Sequence, residues 1–223
     1  MKIITMGDST MQDNDYKTYP QVGWIQALRL FVNIEIHNFA KNGCSTKSFI
    51  DFGYAKKAFD DIESLDYVLI EFGHNDQKVT DPTRFADSNK YKENLKYFIK
   101  SIKEKGGIPI LLTPIYRRYF DDGIIRENVH FSYPSDMIEV ALDENVLCID
   151  MTTKTKNLLS SLGDENSKRL FMNFDKGLYR NYPDGLNDNT HLRFDGAYQI
   201  ATIFYESLKE LNHPLLAYFK TND

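Results

Sequence analysis

Two kinds of pattern alternate along this chain. Short apolar runs recur at Lys2 to Met6, Ile34 to Phe39, Asp66 to Phe72 (DYVLIEF), Ile108 to Thr113 and Val146 to Ile149. Runs of that length, bounded by glycine, proline or polar residues, predict strands buried on both faces. Between them lie stretches that predict helices: Gly23 to Phe31, Tyr54 to Ser64, Asn89 to Lys105, Pro134 to Leu142 and Phe194 to Leu211. In the third of these, Leu95, Phe98, Ile99 and Ile102 fall three and four apart and form one apolar stripe. Gly106-Gly107 then stops the helix. The segment from about Gly163 to Thr190 is polar and turn-rich, with no period. Strands separated by helices predict an α/β fold, a parallel sheet covered on both faces. No repeat, linker or low-complexity tract interrupts the 223 residues, so one domain over 1–223 is expected.

Composition removes several function classes. The net charge of −5 argues against nucleic acid as a partner, because such binders show a basic face and the pairs Lys56-Lys57 and Arg117-Arg118 do not make one. No run reaches the roughly 18 apolar residues of a membrane span, and no membrane partner is expected. The only cysteines, Cys44 and Cys148, are too few for a disulfide framework and suit a reducing compartment. No leader-like apolar region precedes the first strand, so a cytoplasmic location is expected, although a secreted chain trimmed of its leader would begin the same way. The 13% aromatic content is scattered, and core packing explains it as well as carbohydrate binding does.

The first strand ends in GDST, Gly7 to Thr10, at the carboxyl rim where open parallel sheets bind ligands. A plain turn accounts for those residue types. A phosphate cradle would need more small residues, and Asp8, Asp13 and Asp15 would repel the anion. A serine nucleophile needs a base, most simply a histidine oriented by a carboxylate. Of the five histidines, His37 lies in a strand, His130 lacks a local acid and His213 precedes Pro214. His74, in GHND, is a candidate site residue. His191 is the best base, because it follows Asp188 by three residues in DNTH, and residues three apart share a face in a turn or helical start. A metal set of Asp188, His191 and Asp76 lacks recognisable ligand spacing. An acyl-transfer site would also need donors for an oxyanion. Ser9 can offer its backbone N–H, Gly43 (in NGCST) a closely approachable N–H, and Asn75 (in GHNDQ) a side-chain amide.

These blocks in this order, GDST, NGCS, GHND and DNTH, resemble the SGNH hydrolases, a branch of the GDSL-type esterases and lipases. The resemblance implies a flavodoxin-like three-layer sandwich whose five-stranded parallel sheet is ordered 2-1-3-4-5. It also implies Ser9 as nucleophile, His191 as base, Asp188 as orienting acid and Ser9, Gly43 and Asn75 as oxyanion donors, with no metal or organic cofactor. GDSTM, Gly23-Trp24, STKSF (Ser45 to Phe49), GHNDQ and TPIYRR (Thr113 to Arg118) are most similar to the rhamnogalacturonan acetylesterase group. That similarity implies removal of O-acetyl groups from pectic oligosaccharides as substrate. Arg117 and Arg118 could then pair with a uronate carboxylate, the alternative being an ion pair with Asp121 or Asp122; His74 could contact substrate or brace its loop. Asp8 is expected to brace its turn, Trp24 to lie in the core and Cys44 to be a small neighbour of the site. Two rival functions use the same rim: a lysophospholipase, thioesterase or arylesterase, and a flavodoxin-like module binding FMN or another phosphate ligand.

Overall fold

The structure is a computed structural model and describes residues 1–220. Strands β1 (Ile3–Gly7), β2 (Ile36–Asn38), β3 (Tyr67–Glu71), β4 (Ile108–Leu112) and, later in the chain, β7 (Leu147–Ile149) follow the apolar runs of the sequence. They pair in parallel in the order β2-β1-β3-β4-β7, the expected 2-1-3-4-5 arrangement. The helices read from the sequence are α1 (Trp24–Leu28), α3 (Tyr54–Asp60), α4 (Ser88–Glu104), α5 (Tyr133–Asp143) and α7 (Phe194–Glu210). The α/β/α sandwich follows from alternation along each strand, whose successive side chains point to opposite faces. Ile3, Leu69 and Ile110 meet Trp24 of α1 and Phe204 of α7 on one face. Ile4, Val68 and Leu111 meet Phe98 of α4 and Met137 of α5 on the other.

Four features lay outside the sequence reading. Helix α2 (Thr46–Asp51) starts within STKSF, capped where Ser45 Oγ accepts the Ser48 N–H. Helix α6 (Met151–Ser167) is capped by Asp150, which accepts the Thr153 N–H, and is bent at Gly163, whose φ is 70°. Its threonine-rich start has little intrinsic helical preference, which is why no helix was expected there. A minimal ribbon, β5 (Phe120–Asp121) with β6 (Ile124–Ile125), follows β4. Finally, the segment read as polar and turn-rich, with no period, contributes most of the antiparallel hairpin β8 (Phe171–Phe174) and β9 (Leu186–Leu192).

Because all five sheet strands run the same way, the loops after β1, β2, β3 and β4 emerge along one edge. The chain leaves β1 for β2 on one side and returns to β3 on the other, so a crevice opens between the ends of β1 and β3. No helix among the described residues is long and apolar enough to cross a membrane.

Candidate active site

The turn after β1 is built from its own side chains. Asp8 Oδ1 accepts the Thr10 N–H at 2.9 Å, and the Asp8 carbonyl accepts those of Met11 and Gln12. The Thr10 carbonyl in turn accepts the first N–H of α1 from Trp24 at 2.8 Å. A side chain at Gly7 would collide with Met11 and stand 3.0 Å from the Glu71 carbonyl, so the sharp exit from β1 requires glycine. This turn holds Ser9 at the rim of the crevice.

The residues that face Ser9 come from the other end of the chain. Between the pairs Phe171–Leu192 and Asn173–Asn187 of the hairpin, β8 has Met172 alone, whereas β9 has Asp188, Asn189, Thr190 and His191. The surplus bulges outward and is closed by Asp188 Oδ1, which accepts the N–H groups of Thr190 (2.8 Å) and His191 (2.9 Å). Asp188 Oδ2 lies 2.6 Å from His191 Nδ1, and His191 Nε2 lies 3.0 Å from Ser9 Oγ. The D-x-x-H spacing works through an Asp-closed loop within a strand rather than through the expected turn or helical start. Burial alone would push the Asp188 carboxyl up; the His191 contact and the two backbone donors outweigh it and hold the group below the ordinary carboxylate range.

Donor groups gather beside Ser9. Gly43 has a φ of 72°, and a Cβ there would press to 3.3 Å against the Arg84 guanidinium. Asn75 Nδ2 donates one N–H to the Cys44 carbonyl at 2.9 Å, which fixes the plane of the amide. Ser9, Gly43, Asn75, Asp188 and His191 line a common cleft of about 310 Å³. A larger groove of about 1090 Å³ runs past Phe174, Leu186 and Arg193 on the hairpin. Its lining has no serine–histidine pair like the one in the smaller cleft.

The residues expected at the substrate divide. Arg117 lines the cleft and donates from Nη2 to the His74 carbonyl at 2.9 Å. Arg118 does not reach the cleft: it is buried, pairs with Asp164, and donates to Ser167 Oγ (3.0 Å) and Asn189 Oδ1 (2.7 Å). Its backbone N–H also donates to the Asn189 carbonyl at 2.9 Å. Arg118 therefore grips the bulge; its acidic partner is Asp164, and Asp121 pairs with Arg126 instead. His74 is buried, with Nδ1 3.0 Å from Asp8 Oδ2 and Nε2 2.9 Å from the Ile115 carbonyl. Both ring nitrogens are occupied by the protein, so His74 braces the loop rather than offering a ring nitrogen to substrate. Trp24 and Asp8 are fully buried, as core and brace.

Sequence reasoning passed over Lys78 and Arg84, which join Arg117 in the cleft. Burial and the two neighbouring guanidinium groups lower the Lys78 ammonium. It also passed over Glu71 and weighed Asp76 only as a metal ligand; both are fully buried behind the rim. Burial and the charge of Asp8 push Glu71 to about 8. Burial takes Asp76 to about 7, against the donors of Thr46. An acid set among the apolar residues of YVLIEF was the available signal for Glu71.

A serine, a histidine and an aspartate in one hydrogen-bonded line on the edge of a 2-1-3-4-5 sheet suggest a class of protein, and comparison with known proteins shows the family. Residues 3–204 match the model of the GDSL-like lipase/acylhydrolase family, and the chain belongs to that family of carboxylic ester hydrolases. It is 37% identical over 217 residues to rhamnogalacturonan acetylesterase RhgT of Bacillus subtilis, covering 96% of this chain and 92% of that one. It is 33% identical over 216 residues to the probable rhamnogalacturonan acetylesterase YesY of the same organism, covering 96% and 94%. Among solved structures, protein YxiM of Bacillus subtilis superposes with a TM-score of 0.81 at 24% identity; the match covers 96% of this chain and 57% of that one. The acetylxylan esterase Axe2 of Geobacillus stearothermophilus gives a TM-score of 0.62 at 16% identity, over 94% and 93%. These two likenesses concern the fold.

Proposed function

We propose that this chain is a carbohydrate O-acetylesterase that acts on acidic, pectic oligosaccharides through an acetyl-enzyme intermediate. The observation that carries the reading is the unbroken line Ser9 Oγ, His191 Nε2, His191 Nδ1, Asp188 Oδ2, with separations of 3.0 and 2.6 Å. His191 takes the Ser9 proton as Oγ attacks the acetyl carbonyl, and Asp188 stabilises the imidazolium. The Ser9 and Gly43 N–H groups and the Asn75 amide receive the oxyanion. The sugar oxygen leaves with the proton from His191; water, deprotonated by the same histidine, then attacks the acetyl carbonyl, and the Ser9–acetyl bond breaks to release acetate.

Two further observations support the substrate class. The names of the relatives point to acetylated rhamnogalacturonan. The cleft carries Lys78, Arg84 and Arg117, and Arg117 Nε is buried with no hydrogen-bond partner among the described residues. Cations so placed suit the carboxylate of a uronic acid, and such a cleft suits neither the alkyl chain of a lysophospholipid nor an acyl thioester.

The test is acetate release from 4-nitrophenyl acetate and from acetylated rhamnogalacturonan oligosaccharides, comparing wild type with Ser9→Ala. Loss of both activities in the variant, with the oligosaccharide preferred by the wild type, is expected. Equal rates in variant and wild type would reduce GDST to a turn.

A further inference from the structure

Behind Ser9 lies a second polar cluster, sealed from solvent. Thr10 Oγ1 stands 2.9 Å from Asp8 Oδ1 and 2.6 Å from Glu71 Oε1, and all three residues are buried. A hydroxyl carries one proton and can donate to only one of these carboxyls. The other must therefore donate to it, which requires a protonated acid. Asp8 is the better-supported anion: its oxygens receive the Thr10 N–H, the Thr10 hydroxyl and His74. Glu71 Oε2 accepts from a neutral donor, the Trp24 indole, at 3.0 Å.

We propose that Glu71 serves as a neutral carboxylic acid that positions the nucleophile: its O–H donates to Thr10, Thr10 donates to Asp8, and this relay holds the turn that presents Ser9. Glu71 acts through Thr10 and Asp8, so it is a positioning residue. The groups facing it come from every element packed around it: Asp8 and Thr10 after β1, Trp24 of α1, His74 after β3 and Ile115 after β4. His74 turns its Nδ1 to Asp8, at 3.0 Å, and its Nε2 to the Ile115 carbonyl, so neither ring nitrogen serves Glu71. Ionisation of Glu71 would set two carboxylates on one hydroxyl, cost Asp8 or Glu71 a donor and loosen the turn. The inference rests on the reading of Ser9 as nucleophile for its catalytic consequence, and on hydrogen-bond counting alone for the protonation state.

The direct test is carbon-13 NMR of protein labelled at the glutamate carboxyls, titrated from acid to alkali and compared with Glu71→Gln. One carboxyl that still holds its proton at about pH 6.5, far above the ordinary glutamate value of about 4.3, and that disappears in Glu71→Gln, is the expected result. Ionisation of every glutamate by that pH would overturn the assignment. This readout needs no turnover, so it stands apart from the Ser9→Ala test of esterase activity. The pH profile tests positioning. Glutamine reproduces the acid, with its N–H toward Thr10 and its carbonyl toward Trp24, so Glu71→Gln should keep the neutral-pH kcat and lose the alkaline decline of the wild type. Glu71→Leu should lower kcat by about tenfold or more at every pH, since it strands Thr10. A glutamine variant as impaired as the leucine variant, or one that keeps the wild-type alkaline decline, would refute the positioning role.

Discussion

At the residue scale the cleft depends on groups that each serve two purposes. Asp188 closes the bulge with one oxygen and orients His191 with the other. Losing it would misplace the histidine as well as leave it without a partner. Asn75 uses one amide N–H to bond the Cys44 carbonyl, leaving the second for an oxyanion. Asn75→Ala should therefore lower kcat by about 10²–10³ with little change in KM, because the lost donor acts on charge that develops only in the transition state. Steady-state kinetics on 4-nitrophenyl acetate measures this; an unchanged kcat would remove Asn75 from the oxyanion site.

At the element scale, the hairpin β8–β9 carries His191 and Asp188, the proposed base and acid, yet it lies outside the main sheet and its bulge has little ladder pairing of its own. Arg118 supplies the missing fastening. It ties Asn189 to the loop after β4 through backbone and side chain together, and anchors that loop to the end of α6 through Asp164 and Ser167. Asn173 adds a second donor to Asn189 at 2.8 Å. Arg118→Ala should cost about 2–3 kcal/mol of stability through stranded acceptors of a charged donor. It should also lower kcat more than KM, because the bulge moves relative to Ser9. Urea unfolding paired with steady-state kinetics checks both. Lysine should rescue only in part, since it cannot form the guanidinium's forked contacts.

At the scale of the whole molecule, buried acids set the response to pH. Asp8 and Asp188 are held below the ordinary carboxylate value, despite burial, by their donors and by His74 and His191. Their contribution is present above that value and is lost as pH falls through their folded-state values. Asp76 and Glu71 behave oppositely. The folded protein keeps protons up to about 7 and about 8 that the unfolded chain releases near about pH 4. Stability therefore declines as pH rises across that window and is greatest in mildly acidic solution. Asp76 also caps α2, with Oδ1 accepting the Thr46 N–H at 2.9 Å while Oδ2 has no partner among the described residues. Asp76→Asn keeps the acceptor and removes the titration, so it should flatten the fall in Tm between about pH 5 and pH 8. Parallel Tm curves for variant and wild type would show that Asp76 is already ionised in the fold.

Much of this protein was legible in its sequence because the relevant signals are local. Short apolar runs and apolar positions spaced three and four apart report what is buried, and they are complete within one element; hence β1, β3, β4, α4 and α7 lie within a residue or two of their expected bounds. Asp188 and His191 could be paired on paper for the same reason: the contacts that join them span three residues. Helix α6 and strand β9 escaped because their sequences are largely polar and their stability comes from caps and from packing against distant elements, whereas β8 (FMNF) is an apolar run too short to stand out beside its polar surroundings. Tertiary structure alone decided that His191 meets Ser9 across 182 residues, that Arg117 faces the cleft while Arg118 turns inward, and that Lys78 and Arg84 join the site. It also decided that Glu71 and Asp76 share sealed space with other polar groups. An arginine or a glutamate has the same letter whether solvated or buried; its role depends on desolvation and on partners far away in the chain, and those exist only once the chain has folded.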